Sequence, residues 1–494
     1  MRARVPLAAL AAILVAVTVA ASASAKPVAP GQAAAPTDVR AAFFTNWSRY
    51  ARGYTVKQIP ADKLNVLDYA FGAPTAAGTC GLTDPWSDYE APTGAEQSVD
   101  GVADDSANPN QHLYGNFNQL LKLRAAHPDL HVVMSLGGWT GSKYFSDVAA
   151  TAATRQAFVA SCVDLLLKGN LPSDPATIWP PSAGGPGAAA GVFDGIDIDW
   201  EYPGIDPGNG ADHSPADVHN ATLLLQEFRQ QLDAYGATTG KHYLLTADLP
   251  AGNVNSSGSW ELAPVSRTVD WINLLTFDFH GSWDAWTDFN SPFSLDPKSP
   301  AVPGALMSTW STAGTVDYYL ANGVAPDKLV VGVPFYGKEY VGVPGTNNGL
   351  FQPHAAAPPN DSPTYHDLVD TGLADANLTV IGPTAVSRSS NTGNDGKGLN
   401  GFTRYYDGAA KAPWLYSPTL FGGTFISYVD PHAVADRARL VRQDKLRGLW
   451  AWEISNDDNA GDLTAALAAH YRLGSAWHRE RGARHSCSSA RVGD

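Results

Sequence analysis

The sequence predicts an α/β protein, a (β/α)8 TIM barrel carrying a small inserted α+β domain. Three observations lead there. Eight short apolar runs recur along the 494-residue chain, helical patterns fill several of the gaps, and the seventh gap is too long for one helix. An open doubly wound sheet shares this rhythm and stands as the alternative arrangement.

The runs are AAFFTNW (41–47), LNVLDYAFG (64–72), HVVMSLGGW (131–139) and FDGIDIDWE (193–201), followed by YLLTADLPAG (243–252), WINLLTFDF (271–279), KLVVGVPFYG (328–337) and RGLWAWEIS (447–455). Their continuous apolar character suits parallel strands covered on both faces. Between them, Phe158, Val159, Cys162, Leu165 and Leu166 share one helical face, with Gly169 as the stop. Leu225, Phe228, Leu232 and Tyr235 share another, with Gly236 as its stop, and Asp430-Pro431 reads as an N-cap followed by a first helical residue. In the long gap, 340–425, the segments FTRYYD, APWLYS and TFISYVD read as strands of the inserted domain.

The ends are of a different character. Arg2 and Arg4 precede an apolar stretch and an Ala23-Ser24-Ala25 cleavage pattern, so 1–25 reads as a secretory signal, with an uncleaved anchor as the other reading. Residues 26–38 are a Pro/Ala-rich leader, 39–473 the barrel domain, and 474–494 a loose polar tail. The expected product is a secreted, extracellular monomer with no membrane attachment after cleavage.

Composition narrows the function classes. Hydrophobic residues make up 44% and charged residues 16%, which is globular usage. A net charge of −15 argues against nucleic acid as a partner, because phosphate binding needs a basic stripe. Of three cysteines, Cys80, Cys162 and Cys487, at most two can pair within the chain, and sequence does not choose which. No Cys/His cluster has zinc spacing, so neither a metal nor another cofactor is expected.

The run FDGIDIDWE raises the sharpest question. Side chains alternate along a strand, so Asp197, Asp199 and Glu201 share one face while Ile196, Ile198 and Trp200 take the other. Asp194, of opposite parity, is expected to set up the start of the strand. Three carboxylates in succession, roughly 6–7 Å apart, do not all ionise in a half-buried site. One should keep its proton near neutral pH, as a general acid must, and Glu201 closes the strand where barrel active sites lie. A calcium loop wants a glycine at its sixth position and a later glutamate, whereas Tyr202-Pro203 follows here.

The segment DGIDIDWE resembles the D-x-x-D-x-D-x-E signature of the family 18 glycoside hydrolases, the chitinases. SLGGW on the third run, FDFHGSWD on the sixth, PFYG on the seventh and WAWE on the eighth resemble the family's other motifs in order and position. The resemblance covers residues 40 to 473 and implies a chitinase that cleaves β-1,4-linked N-acetylglucosamine polymers with retention of configuration. Chitin or a chitooligosaccharide would be the substrate partner, held by the cleft itself. By the same resemblance Glu201 is the acid, Asp199 orients the substrate's acetamido group, and Asp197 shares a proton with Asp199. Gly137, Gly138, Trp139, Tyr202, Leu275, Phe277, Asp278, Tyr336 and Trp452 are implied as substrate-binding, with Trp452 flooring the cleavage subsite and Gly137-Gly138 letting a sugar approach the backbone. Trp283 is a further candidate stacking platform.

Three positions depart from the family pattern. Phe277 stands where a tyrosine hydroxyl usually steadies the acetamido oxygen, Phe43-Phe44 where the first strand often has a tyrosine, and Lys338 where arginine is common. A chitin-binding lectin on the same barrel and an endo-β-N-acetylglucosaminidase acting on N-glycans are the alternative readings.

Overall fold

The computed structural model describes residues 36–469, apart from 253–258, 302–308, 356, 376, 378 and 389–395. The expected signal (1–25), most of the leader, and the tail with Cys487 lie outside the described residues.

All eight apolar runs form strands. In chain order the strands are β1 (Val39–Thr45), β2 (Val66–Pro74), β3 (Cys80–Leu82), β4 (His131–Gly137), β5 (Gly195–Asp199), β6 (Leu244–Pro250), β7 (Trp271–Leu275) and β8 (Leu329–Pro334), then β9 (Lys338–Val341), β10 (Thr403–Asp407), β11 (Ala412–Ser417), β12 (Thr424–Ser427) and β13 (Gly448–Trp452). The order β1-β13-β8-β7-β6-β5-β4-β2 is parallel throughout, and β1 also pairs with β2, which closes the barrel and excludes the open sheet. β9 to β12 form a separate antiparallel sheet in the order β10-β11-β12-β9, and this is the inserted domain.

The continuous apolar runs are explained by two distinct buried layers. One set of strand residues packs outward against the helices. The alternate set includes Val39 and Phe43 of β1, Val66 of β2, Val133 of β4, Leu244 of β6, Trp271 of β7, Val330 of β8 and Trp450 of β13, and these form one cluster. Strands on opposite sides of the ring bring side chains together only through its interior, so the barrel is filled. Burying each such large side chain contributes about 1.5–3 kcal/mol.

Among the outer helices are α1 (Gly115–Ala126), α2 (Ala152–Cys162), α3 (Asp217–Thr239), α4 (Leu262–Thr268), α5 (Thr312–Ala321) and α6 (Pro431–Asp444). α6 starts as its sequence indicates, with the Ala433 amide donating to the Asp430 side chain at 2.9 Å and Pro431 at the first position. The stop of α3 is corrected. The helix runs through Gly236 to a left-handed Gly240, whose amide donates to the Gly236 carbonyl at 2.8 Å. Gly236 instead makes room for the returning chain, since a Cβ there lies 2.4 Å from the Lys241 carbonyl oxygen.

Asp194 precedes β5 and anchors it. Its carboxylate pairs with Arg124 of α1 at 2.6 Å and accepts from the Val132 amide at 3.2 Å. Cys162 is a buried thiol on the inner face of α2, next to Cys80, and neither forms a disulfide among the described residues.

Candidate active site

β5 sets the site by its pleat. Ile196, Ile198 and Trp200 pack outward, with Trp200 stacked on Phe145 at 5.2 Å and 17°. Asp197 and Asp199 therefore point into the barrel. Asp197 is fully buried and hydroxyls hold both its oxygens: Thr246 donates to Oδ1 at 2.5 Å and Ser135 to Oδ2 at 2.7 Å. The sheet register lays Ser135 and Thr246 on either side of it. Burial raises the Asp197 carboxyl to about 6 against the pull of these donors.

Asp199 has no such support, and its Oδ1 is buried without a hydrogen-bond partner. Burial, then the charges of Glu201 and Asp197, push it well above the usual carboxylate range. The backbone clamps Glu201 just beyond the strand. Its amide donates to Ser142 Oγ at 3.0 Å, and its carbonyl accepts from Asn209 Nδ2 at 2.9 Å. Burial of the Glu201 carboxyl, with the Asp278 charge adding and a hydrogen bond from Tyr202 opposing, raises it to about 7. A carboxyl in that range holds a proton at neutral pH and releases it readily.

Opposite Glu201, β7 ends at Leu275 and the chain turns through Phe277 to Asp278. Asp278 has left-handed backbone (φ 54°) and its amide donates to Asn290 Oδ1 at 2.9 Å. Lys338 Nζ pairs with Asp278 Oδ1 at 3.0 Å and donates to Ser362 Oγ at 2.9 Å. The same ammonium lies over the rings of Trp283 at 4.9 Å and Tyr336 at 5.2 Å. Phe277 meets Tyr336 and Trp450 edge-on at 6.1 and 5.4 Å, and the Tyr336 hydroxyl bonds Asp278.

A cleft of about 300 Å³ opens among these elements. Glu201, Asp199, Tyr202, Leu275, Phe277, Asp278, Tyr336, Trp139 and Trp452 all line it. Asp197 lies beneath, out of contact with the opening. Trp139 is 50% exposed and sits on a short helical turn, Gly138–Gly141, not on the strand. Trp452 stacks on Phe71 at 5.7 Å and 23°.

Gly137 and Gly138 stand beside the cleft, where other parts of the protein pack against them. A Cβ on Gly137 (φ 116°) falls 2.1 Å from the Asp199 carbonyl oxygen, and one on Gly138 (φ 75°) falls 2.6 Å from the Phe71 ring. The protein itself fills the space that their missing side chains leave.

Sequence reasoning missed six residues. Trp47, Phe71, Thr140 and Trp450 line the cleft, and Asp68 and Asp248 lie beneath it, fully buried near Asp197. Alternation within the runs carried a signal for the two acids: Asp68 is two residues after inward Val66, and Asp248 two after inward Thr246.

Known proteins resemble this chain over most of its length. Chitinase A1 of Niallia circulans is 33% identical over 447 residues, and chitinase C of Streptomyces lividans 32% over 437. These alignments cover 84% and 86% of this chain but only 56% and 58% of the two relatives. The catalytic domain of psychrophilic chitinase B from Arthrobacter TAD20 superposes with a TM-score of 0.75 at 32% identity, covering 88% of this chain and 96% of that one. The family model for glycosyl hydrolases family 18 matches residues 39–457, and the chain belongs to that family.

Proposed function

We propose that the protein hydrolyses β-1,4 linkages of chitin and chitooligosaccharides, with the substrate's acetamido group as the nucleophile. One observation carries this reading. Glu201, raised to about 7, faces a Trp452-floored cleft with protonatable Asp199 directly behind it, while Asp278, the acid across the cleft, is engaged by Lys338. That arrangement supplies an acid and an orienting carboxyl and leaves no carboxylate free to attack C1.

The steps balance within the substrate. Glu201 gives its proton to the glycosidic oxygen as the C1–O bond breaks, and the acetamido oxygen bonds to C1 from the opposite face. Asp199 accepts from the acetamido N–H and orients it, and the Asp197–Asp199 pair, with one net negative charge, offsets its growing positive charge. Water then attacks C1 as its bond to the acetamido oxygen breaks, Glu201 takes the water's proton, and the product keeps the β configuration. The Trp452 ring presents a flat apolar surface to the C–H face of the sugar. The basic, then apolar, first 25 residues support export of the chain.

A tetramer of N-acetylglucosamine and its fully deacetylated counterpart test the reading together. Cleavage of the first alone is expected. Cleavage of both at comparable rates contradicts the acetamido nucleophile, and binding without cleavage of either favours the lectin reading.

A further inference from the structure

Two carboxyl groups in the barrel interior have no part in the scheme above. Asp68 on β2 and Asp248 on β6 are both completely buried, and none of their four oxygens takes part in a hydrogen bond. The charged groups facing Asp248 are Asp197, Asp199 and Asp68, and those facing Asp68 are Asp197 and Asp248. All are acids. The other neighbour of Asp248 is Asn273 of β7, whose Oδ1 accepts from Trp271 at 3.1 Å and whose buried Nδ2 is the one neutral donor turned toward the Asp248 carboxyl. Around them the barrel is closed by Phe43 of β1 and Trp450 of β13, rings 5.1 Å apart, which offer no donor here because the Trp450 N–H is spent on the Leu274 carbonyl.

An ionised carboxylate with at most one amide donor and no cation, among other acids, is among the costliest groups a core can hold. A carboxylic acid needs only one acceptor, and Asp197 is that acceptor. Each Asp197 oxygen takes one hydroxyl, from Thr246 or Ser135, which leaves a lone pair on each. Asp248 is close enough to Asp197 to hydrogen-bond once one of the two carries a proton.

We propose that Asp248 is a positioning residue for the reaction: a neutral carboxylic acid whose O–H donates to Asp197, with Asp68 as a second neutral acid on the β2 side, so that Asp197 is held as the anion and the proton of the Asp197–Asp199 pair resides on Asp199. Four neutral groups then surround Asp197: two hydroxyls that donate to it and two protonated acids. Asp199, holding the proton, keeps a carbonyl oxygen free to accept from the acetamido N–H. This assignment rests on the roles proposed for Asp197 and Asp199.

Infrared difference spectra of the wild type and Asp248→Asn at neutral pH test it without reference to turnover. Loss of a protonated-carboxyl C=O band is expected, and loss of carboxylate bands overturns the proposal while leaving the hydrolytic reading intact. Kinetics give a second readout. Asp248→Leu should lower kcat on the order of tenfold at nearly constant KM, the loss of one hydrogen bond to a charged group. It should also move the acidic limb of the pH profile upward, because Asp197 ionises less readily without its donor. Asp248→Asn, whose N–H can donate along the same line, should restore both. A Leu variant with wild-type kcat and limbs overturns the proposal, as does an Asn variant that fails to restore them. If the Leu variant does not fold, the infrared spectra and the Asn profile still decide.

Discussion

Lys338 Nζ stands 3.0 Å from Asp278 Oδ1, beneath the ring of Trp283 and across the cleft from Glu201. The lysine fills the place where the family often has arginine, and it offers a point charge in place of a planar fork. Lys338→Met strips Asp278 of this partner and leaves a bare charge facing Glu201. The basic limb of the kcat/KM profile should move to higher pH, and kcat should fall several-fold. Lys338→Arg should keep both near wild type. An unmoved limb in Lys338→Met means the pair does not reach the acid.

In the proposed mechanism Phe277 leaves the acetamido oxygen without the tyrosine hydroxyl that the family resemblance implies at this position. A single donor of this kind is worth roughly 100-fold or more in kcat. Phe277→Tyr should therefore raise kcat on a chitooligosaccharide by about tenfold or more, provided the ring keeps its edge-on packing on Trp450. No gain would assign the task to another hydroxyl already in the cleft, such as that of Tyr336, whose ring meets Phe277 edge-on at 6.1 Å.

The pH profile follows from two carboxyls. In the proposed mechanism Glu201, raised to about 7 by burial, is the proton donor, so activity should fall as pH rises through that value. In the same mechanism Asp197, raised to about 6 by burial, is the anion, so activity should also fall as pH drops below it. A narrow bell in kcat/KM is expected, with the acidic limb belonging to the Asp197–Asp199 pair as a unit. A flat profile from about pH 4 to 8 contradicts both assignments.

The same burial has a stability signature. Asp68 and Asp248 are raised well above an unfolded-chain value of about 3.9, first by burial and then by neighbouring acids. Between those limits the folded state binds more protons than the unfolded one. The contribution is therefore complete at acid pH and is lost as pH rises, by about 1.4 kcal/mol per pH unit for each group. Asp68→Asn should raise the Tm at pH 7 and leave it nearly unchanged at pH 4. Equal Tm changes at both pH values would mean that Asp68 titrates normally.

The catalytic strand was legible because three acids in strict alternation with Ile, Ile and Trp leave no bland explanation. Asp68 and Asp248 were not, since a single acid inside an apolar run has no periodicity of its own. Its meaning comes from the neighbouring strand, and only the closed barrel supplies that. Trp47 and Phe71 reach the cleft through a turn after β1 and a bend in β2, which the composition of those segments does not encode. Gly137, Gly138 and Gly236 show the same boundary from the other side. A glycine announces close approach, but what approaches it is tertiary: the Asp199 carbonyl, the Phe71 ring and the Lys241 carbonyl.

The most direct test of the account compares chitotetraose hydrolysis by the wild type and Glu201→Gln, with product anomers followed by NMR. The account predicts β-anomer as the initial wild-type product and near-total loss of turnover in the variant with binding retained. Initial α-anomer, or a Glu201→Gln enzyme that still turns over at a wild-type rate, would contradict it.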